Sequence, residues 1–386
     1  MDRTLRGGVY GLLDDVALTH NVEFVEGPAG HWVYRDGLLR NAQSDFFRVG
    51  GYRDAGGAEH VLLEQSELAL VGLVVSRSSG RLRYLLNVRA EPGLHGGAQF
   101  STTIQSTPSN YERRHGGGPT PFIAELLDPP AGARVLHDSL QYDWWQYYRR
   151  KAKRFRILEL ADEPEVELPL VWVEAEDMRN ITRRDYTATG DLRVAAYIAD
   201  LVVDDPTIAM DIRPTEQIGA KLESIPLADL RGWRVTPQGV MSVDGERDVL
   251  WVSTRSTTRE VHSWIQPLMK LRDPLEARLA SRARNGTLEF AIQRVSPAQL
   301  EGSSVWMPAE PNAIGATLAS RKLSAEGGRF YQHPIHLHVV EGLEVPDGSR
   351  WLDLDSFRHL ALSSLETSLE LRLLFALAGE LREGAR

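Results

Sequence analysis

A weak internal repeat constrains this chain more than any single motif does. Residues 77–110 lie over residues 282–315 at a constant offset of 205, so that Leu85-Leu86-Asn87-Val88-Arg89 faces Phe290-Ala291-Ile292-Gln293-Arg294. Pro92 then faces Pro297, and Gly97 faces Gly302. A second block agrees at an offset of 183, where Leu140-Gln141-Tyr142-Asp143 faces Leu323-Ser324-Ala325-Glu326 and Tyr148 faces Tyr331. A third block lies upstream, where Gly30-His31-Trp32-Val33-Tyr34 resembles Arg231-Gly232-Trp233-Arg234-Val235 at an offset of 201. Blocks that recur in the same order point to one supersecondary unit used twice. With 386 residues the chain can bury two ordinary cores. The expectation is two tandem modules, 1–185 and 186–386.

Each half reads as strand-rich with a few helices, an α+β class with mixed β-sheets and flanking helices. Residues 70–75 are a short apolar run, and residues 82–88 and 287–295 suit strands bounded by Gly and polar residues. Residues 353–362 and 365–377 read as helices, with Leu369, Leu373, Leu374 and Leu377 on one stripe. Residues 187–203 suggest a linker helix between the halves.

Composition removes several kinds of chemistry. There is no cysteine, so disulfides, thiolate metal sites and cysteine nucleophiles are excluded. The formal charge of −9 argues against a general nucleic-acid binder. No apolar run approaches the length of a membrane span, and the start MDRTLRGGVYGLLDD lacks the long apolar stretch of a secretory signal. A soluble cytoplasmic protein, with no nucleic-acid or membrane partner, is the expectation.

Two segments concentrate useful side chains. Residues 103–117, TIQSTPSNYERRHGG, offer hydroxyls, amides, a phenol and two guanidiniums between an extended stretch and a Gly run. Such a loop can bind sugar hydroxyls with neutral groups and phosphate with charged forks. It also suits a polar surface turn. Residues 141–151, QYDWWQYYRRK, place aromatics beside cations, which suits a stacked base with a diphosphate nearby. The same rings also suit the core and rim of a strand, where alternate residues face opposite sides. Three further features are open to two readings. His336 and His338 share an HxH spacing and form either a metal pair or part of a half-exposed strand. His262 and Trp264 pack between the halves or line a pocket. Gly116-Gly117-Gly118-Pro119 lacks the strand and helix context of a dinucleotide loop and suits a mobile lip.

TIQSTPSNYERRHGG, the later LHDSLQ with YYRRK, the block EVHSWIQPL and the block LSAEGGRFY together resemble the NDP-hexose 2,3-dehydratase family of deoxysugar biosynthesis. The resemblance runs from about Gly30 to Ala378. It implies two Nudix-like modules, a homodimer, and elimination of water from a nucleotide-linked 4-keto-6-deoxyhexose, commonly thymidine-linked. The C4 ketone acidifies the C3 proton, a base takes it, and the C2 hydroxyl leaves with proton help. The resemblance implies no metal, flavin or nicotinamide cofactor, and a partner 3-ketoreductase for the unstable product. It places Gln105, Thr107, Asn110 and Tyr111 on the sugar and nucleotide loop, with Arg113 and His115 just after it. Asp143 falls where the family has a glutamate, followed here by Trp144 and Trp145, and Arg149, Arg150 and Lys151 fall on a basic stretch. Tyr111 or Asp143 is the expected proton-transfer group. In the second half Glu326, Arg329 and Tyr331 are kept, while Glu310 and Gly315 stand opposite Gln105 and Asn110, so that site reads as degenerate. The diverged Trp pair leaves two alternatives, a relative turned to another reaction on a natural-product intermediate or a non-catalytic nucleotide-sugar binder.

Overall fold

A computed structural model of the chain describes residues 8–43, 46–114, 116–204, 222–342 and 344–384. The apolar run of the first half becomes the strand Ala69–Ser76, in which every residue is buried. A strand buried on both faces belongs at the centre of a covered sheet. It runs parallel to Ala152–Leu160 and antiparallel to Arg83–Ala90. Arg134–Tyr142, Leu170–Glu174, Ala98–Ser101 and Ile104–Ser106 complete a seven-stranded mixed sheet. The class is α+β with mixed and antiparallel sheets.

The six-stranded sheet of the second half repeats this pairing. Leu275–Arg284 runs parallel to Pro334–Glu341 and antiparallel to Thr287–Val295. Val305–Pro308 and Arg350–Leu352 flank Thr287–Val295 on either side, as Ala98–Ser101 and Leu170–Glu174 flank Arg83–Ala90. The ladders correct two of the three offsets. Trp172 pairs with Leu85 and Trp351 with Ala291, which sets that block at 206 rather than 205. The Asp143 amide donates to the Lys151 carbonyl as the Ala325 amide does to the His333 carbonyl, which sets the second block at 182 rather than 183. Asp143 therefore corresponds to Ala325, and Glu326 to Trp144. Side chains alternate along a strand, so a one-residue slip exchanges its two faces. The upstream block keeps its offset of 201, with Trp32 and Trp233 opening equivalent hairpins.

Two smaller sheets knit the halves together by exchange. His20–Phe24 pairs with Arg247–Ser256 of the second half, and Glu223–Ile225 pairs with Arg48–Arg53 of the first. The expected linker helix is instead a core element. Gly190–Val202 is capped by Thr189, whose Oγ1 accepts from the Leu192 amide, and it is buried on most of its surface. Its counterpart Leu369–Gly384 starts at Ser368, whose Oγ accepts from the Leu371 amide. The anticipated leucine stripe is buried there, but so are Leu371, Phe375 and Ala378, because neighbours cover several sides of the helix. Residues 144–151 are not strand. They form a tight turn before Ala152–Leu160, with Arg150 at φ 51°, mirrored by Gln332 at φ 45°.

Candidate functional site

A cleft of about 480 Å3 opens between the halves. One wall comes from the strand Ile104–Ser106 and the short helix Pro108–Tyr111 of the first half. The loop is pinned locally. Thr103 Oγ1 accepts from the Val74 amide at 2.9 Å, Pro108 opens the helical turn, and the Ser109 amide donates to Glu67 at 3.0 Å. Gln105, Thr107 and Asn110 line the cleft as expected. The hydroxyls of Ser106 and Thr107, on residues that line the cleft, are buried with no protein partner.

The opposite wall comes from the second half. The turn carrying Glu326, Gly328 and Arg329 reaches across to Gly93, whose amide donates to the Gly327 carbonyl at 2.9 Å. A Cβ at position 93 would lie 1.5 Å from the Phe330 carbonyl oxygen, so glycine is required for this approach. Arg255, Arg259, Glu260 and Trp264 complete the wall. Trp264 thus lines the cleft while His262 does not. Gly117 also lines it, and the Gly run expected to be a loose lip is strapped down, the Gly118 amide donating to the Glu260 carbonyl at 2.8 Å.

Beneath the cleft lies a buried ion cluster drawn from both halves. Lys151 Nζ sits 2.9 Å from Asp143 and 2.7 Å from Glu326, while Lys153 Nζ sits 2.9 Å from Asp143 and 2.8 Å from Asp191. Gln105 donates to Asp191 at 2.6 Å and so connects the cluster to the cleft wall. Burial alone would push the Asp143 and Glu326 carboxyls up, but Lys151 and Lys153 outweigh it, hold Asp143 below the usual range and Glu326 well below it. Burial prevails at Asp191 and raises it. Of the three carboxylates Glu326 lines the cleft, its side chain 14% exposed against 0% for Asp143. Lys151 and the Tyr148 hydroxyl both donate to its Oε2, and neither engages Oε1.

Several expected contacts fall elsewhere. Asp143 lies under the cleft rather than in its wall, its carboxylate turned to the two lysines. Trp144 is buried in the main core, and Trp145 packs with Tyr142, Leu300 and Val305. Arg149 pairs with Glu64 and Glu301, and Arg150 with Glu301, so neither guanidinium reaches the cleft. Lys151 belongs to the buried cluster. Tyr111 is half-buried outside the cleft lining, its hydroxyl pushed up by burial and by Glu112. Arg113 is exposed and donates to the Gly117 carbonyl. Tyr331 packs edge-on against Phe24 at 4.8 Å. His115 lies outside the described residues. His336 and His338 turn to Glu276 at 2.8 and 3.2 Å, and among the described residues no group of three or more acidic or histidine side chains is arranged to hold a metal ion.

Sequence reasoning missed the cleft's charged floor. Glu91 pairs with Arg89 at 2.6 Å and Arg259 at 3.0 Å. Burial pushes its carboxyl up, but the two guanidiniums outweigh that and hold it at about 2. Arg259 also holds Glu260 below its usual range against burial. Arg89 and Glu91 sit within the first repeat block, and an arginine two positions before a carboxylate on a strand was the available signal.

Neutral donors, paired cations and an ionised carboxylate around one cleft define a class, an acid–base enzyme for an anionic, hydroxyl-rich ligand. The family is then specific. The NDP-hexose 2,3-dehydratase profile matches residues 20–195 and 213–300, and the chain belongs to that family. A dTDP-4-dehydro-6-deoxy-alpha-D-glucopyranose 2,3-dehydratase from Saccharopolyspora spinosa is 25% identical, covering 88% of this chain and 83% of the relative. One from Streptomyces violaceoruber is 25% identical, with 88% of each chain covered. One from Amycolatopsis orientalis is also 25% identical, covering 91% of this chain and 83% of the relative. Among solved structures, a Nudix hydrolase from M. smegmatis aligns over 41% of this chain and 97% of its own length, at 18% identity and a TM-score of 0.24, too low to bear on the architecture.

Proposed function

We propose that this chain removes water across C2–C3 of a dTDP-linked 4-keto-6-deoxyglucose in deoxysugar biosynthesis. Membership of the family carries this reading, and the cleft supports it by joining sugar-sized hydrogen-bond groups to an ionised carboxylate. Glu326 is the better-placed base than Asp143 or Tyr111, because its Oε1 is left for the C3 proton. Arg255, exposed on the cleft wall, suits the diphosphate. Gln105, Thr107 and Asn110 suit the sugar.

The two halves are read as one Nudix-like module duplicated. The repeated strand pairing supports this, and it favours a boundary after the helix Gly190–Val202 rather than between residues 185 and 186. A homodimer, a partner 3-ketoreductase and a cytoplasmic location belong to the same proposal. Among the described residues no helix is long and apolar enough to cross a membrane.

The test is turnover. Purified protein, dTDP-4-keto-6-deoxyglucose, NADPH and a 3-ketoreductase should yield a 2,6-dideoxy sugar. If neither that product nor any loss of the C2 hydroxyl is seen, the reading fails, and dTDP binding without turnover would favour the non-catalytic binder.

A further inference from the structure

Arg329 stands apart from the other buried cations of the cleft. Arg89 pairs with Glu91, and Arg259 with Glu91 and Glu260. Arg329 is 5% exposed, yet among the described residues no carboxylate comes within 4.0 Å of its guanidinium. A buried cation without a paired anion is costly unless something else holds it or a ligand completes it. Its direct contacts are all neutral, and the ionised Glu326 acts on it only through space. The guanidinium lies over the rings of Phe47 and Phe46, at 4.1 and 4.5 Å from their centroids. Nη2 donates to Gln65 Oε1 at 2.9 Å, and Nη1 donates to the Gly328 carbonyl at 2.8 Å. Nε is buried and has no partner. Arg329, Gln65, Phe46 and Gly328 all line the cleft, and Glu326 lies one turn away on the same segment, its carbonyl accepting from the Arg329 amide.

This arrangement fits an anion that exists only during the reaction. A carboxylate held well below its usual range, as Glu326 is, stays ionised but is a weak base. It removes a proton from carbon only if the resulting oxyanion is strongly stabilised. Resting on the dehydratase reading of the cleft, we propose that Arg329 is the oxyanion donor of the elimination, receiving the charge that develops on O4 of the keto sugar. The step balances. The C3–H bond breaks and its proton passes to Glu326. The electron pair forms C3=C4, and the carbonyl pair moves onto O4 opposite Arg329. That charge then returns to re-form C4=O while C2=C3 forms and the C2–O bond breaks. Hydroxide takes the proton from Glu326 and leaves as water. Gln65, Phe46 and Phe47 are positioning residues that fix the guanidinium beforehand, so that it need not reorganise as charge appears.

Arg329→Lys keeps the charge but loses the planar fork and the Nε–H. It should lower kcat about 100-fold, leave dTDP affinity within about threefold, since an interaction confined to the transition state spares binding, and raise the isotope effect with C3-deuterated substrate. Gln65→Met, which frees the guanidinium without removing it, should lower kcat about tenfold at unchanged KM, and it decides the matter if Arg329→Lys does not fold. Full kcat in a folded Arg329→Lys overturns the proposal. So does a loss borne entirely by dTDP affinity, which would place Arg329 on the diphosphate. Wild-type protein inert on the keto sugar would instead refute the dehydratase reading itself, so the two failures are told apart.

Discussion

Two turns occupy equivalent places in the two halves, residues 144–151 and residues 326–333, and they have opposite fates. In the first, Trp144 and Tyr148 are buried in the core, and Tyr147 donates or accepts at His333 Nε2 across 3.0 Å while the Arg247 guanidinium lies over its ring at 5.1 Å. In the second, Glu326 and Arg329 replace Trp144 and Tyr147 and face the cleft. The cation and ring have changed places, since Arg329 covers Phe47 just as Arg247 covers Tyr147. One turn is therefore a structural plug, and the other is a wall of the site belonging to the opposite half. The cleft wall of the first half is completed by charged side chains of the second.

The sharpest way to break this contrast is through the ion cluster. Lys153 corresponds to Ile335, which is wholly apolar and buried. Lys153→Met leaves Asp143 and Asp191 without their shared cation and should cost about 3–5 kcal/mol. Ile335→Val should cost about 1 kcal/mol. Urea unfolding midpoints compare the two, and equal losses would show that the cluster carries no special weight. The catalytic contrast comes next. Glu326→Gln should lower kcat on the order of 100-fold, whereas Trp144→Phe should leave kcat within about twofold while lowering the unfolding midpoint, because a smaller ring loosens packing without touching the cleft. A large kcat loss in Trp144→Phe would mean that the plug shapes the site after all.

A pH titration sharpens the same comparison. Lys151 keeps its carboxylate partners, but its counterpart His333 is neutral and buried, with burial first and Arg247 second pulling its pKa to about 3. His137 is likewise pulled to about 4 by burial. In the unfolded chain such rings take up a proton near pH 6.5, so their contribution to stability is complete above that pH and is lost as pH falls from about 6.5 toward 3–4. The thermal midpoint should therefore fall between pH 7 and 5, and His333→Gln should flatten that fall. An unchanged slope removes His333 from the account. The smallest effect concerns the basic stretch. Arg150→Ala should change dTDP affinity by less than about twofold, since Arg150 turns to the buried Glu301 and does not line the cleft. Arg255→Ala on the cleft wall should weaken binding about tenfold. Calorimetric titration with dTDP separates them.

Much of the fold was legible because periodicity and burial are local properties. The run at residues 70–75, the strand Thr287–Val295 and the late helices follow from apolar spacing, although the last helix is Leu369–Gly384 rather than residues 365–377. Gln105, Thr107 and Asn110 were legible as a polar loop beside an extended segment. The turn at 144–151 was not, because a run of aromatics and cations suits a strand edge and a buried plug equally well. Alignment by residue identity put Asp143 opposite Glu326, whereas the ladders put Ala325 there. That one-residue error hid the fact that Asp143 and Glu326 meet in space through Lys151.

The sequence by itself determined that the chain has no thiol chemistry and that the segment 103–117 is a polar loop, and it pointed to two halves of like plan. Only the tertiary structure decided which groups share the cleft. Glu91, Arg259 and the pair Glu326 and Arg329 lie in three separate segments, and the exchanged strands and the close approach at Gly93 bring them together. The physical reason is that secondary structure depends on neighbours along the chain, while the charge of a buried group depends on neighbours through space. No local pattern in EGGRFY reveals that its glutamate is held ionised by lysines some 175 residues away, or that its arginine is buried with an Nε that has no hydrogen-bond partner.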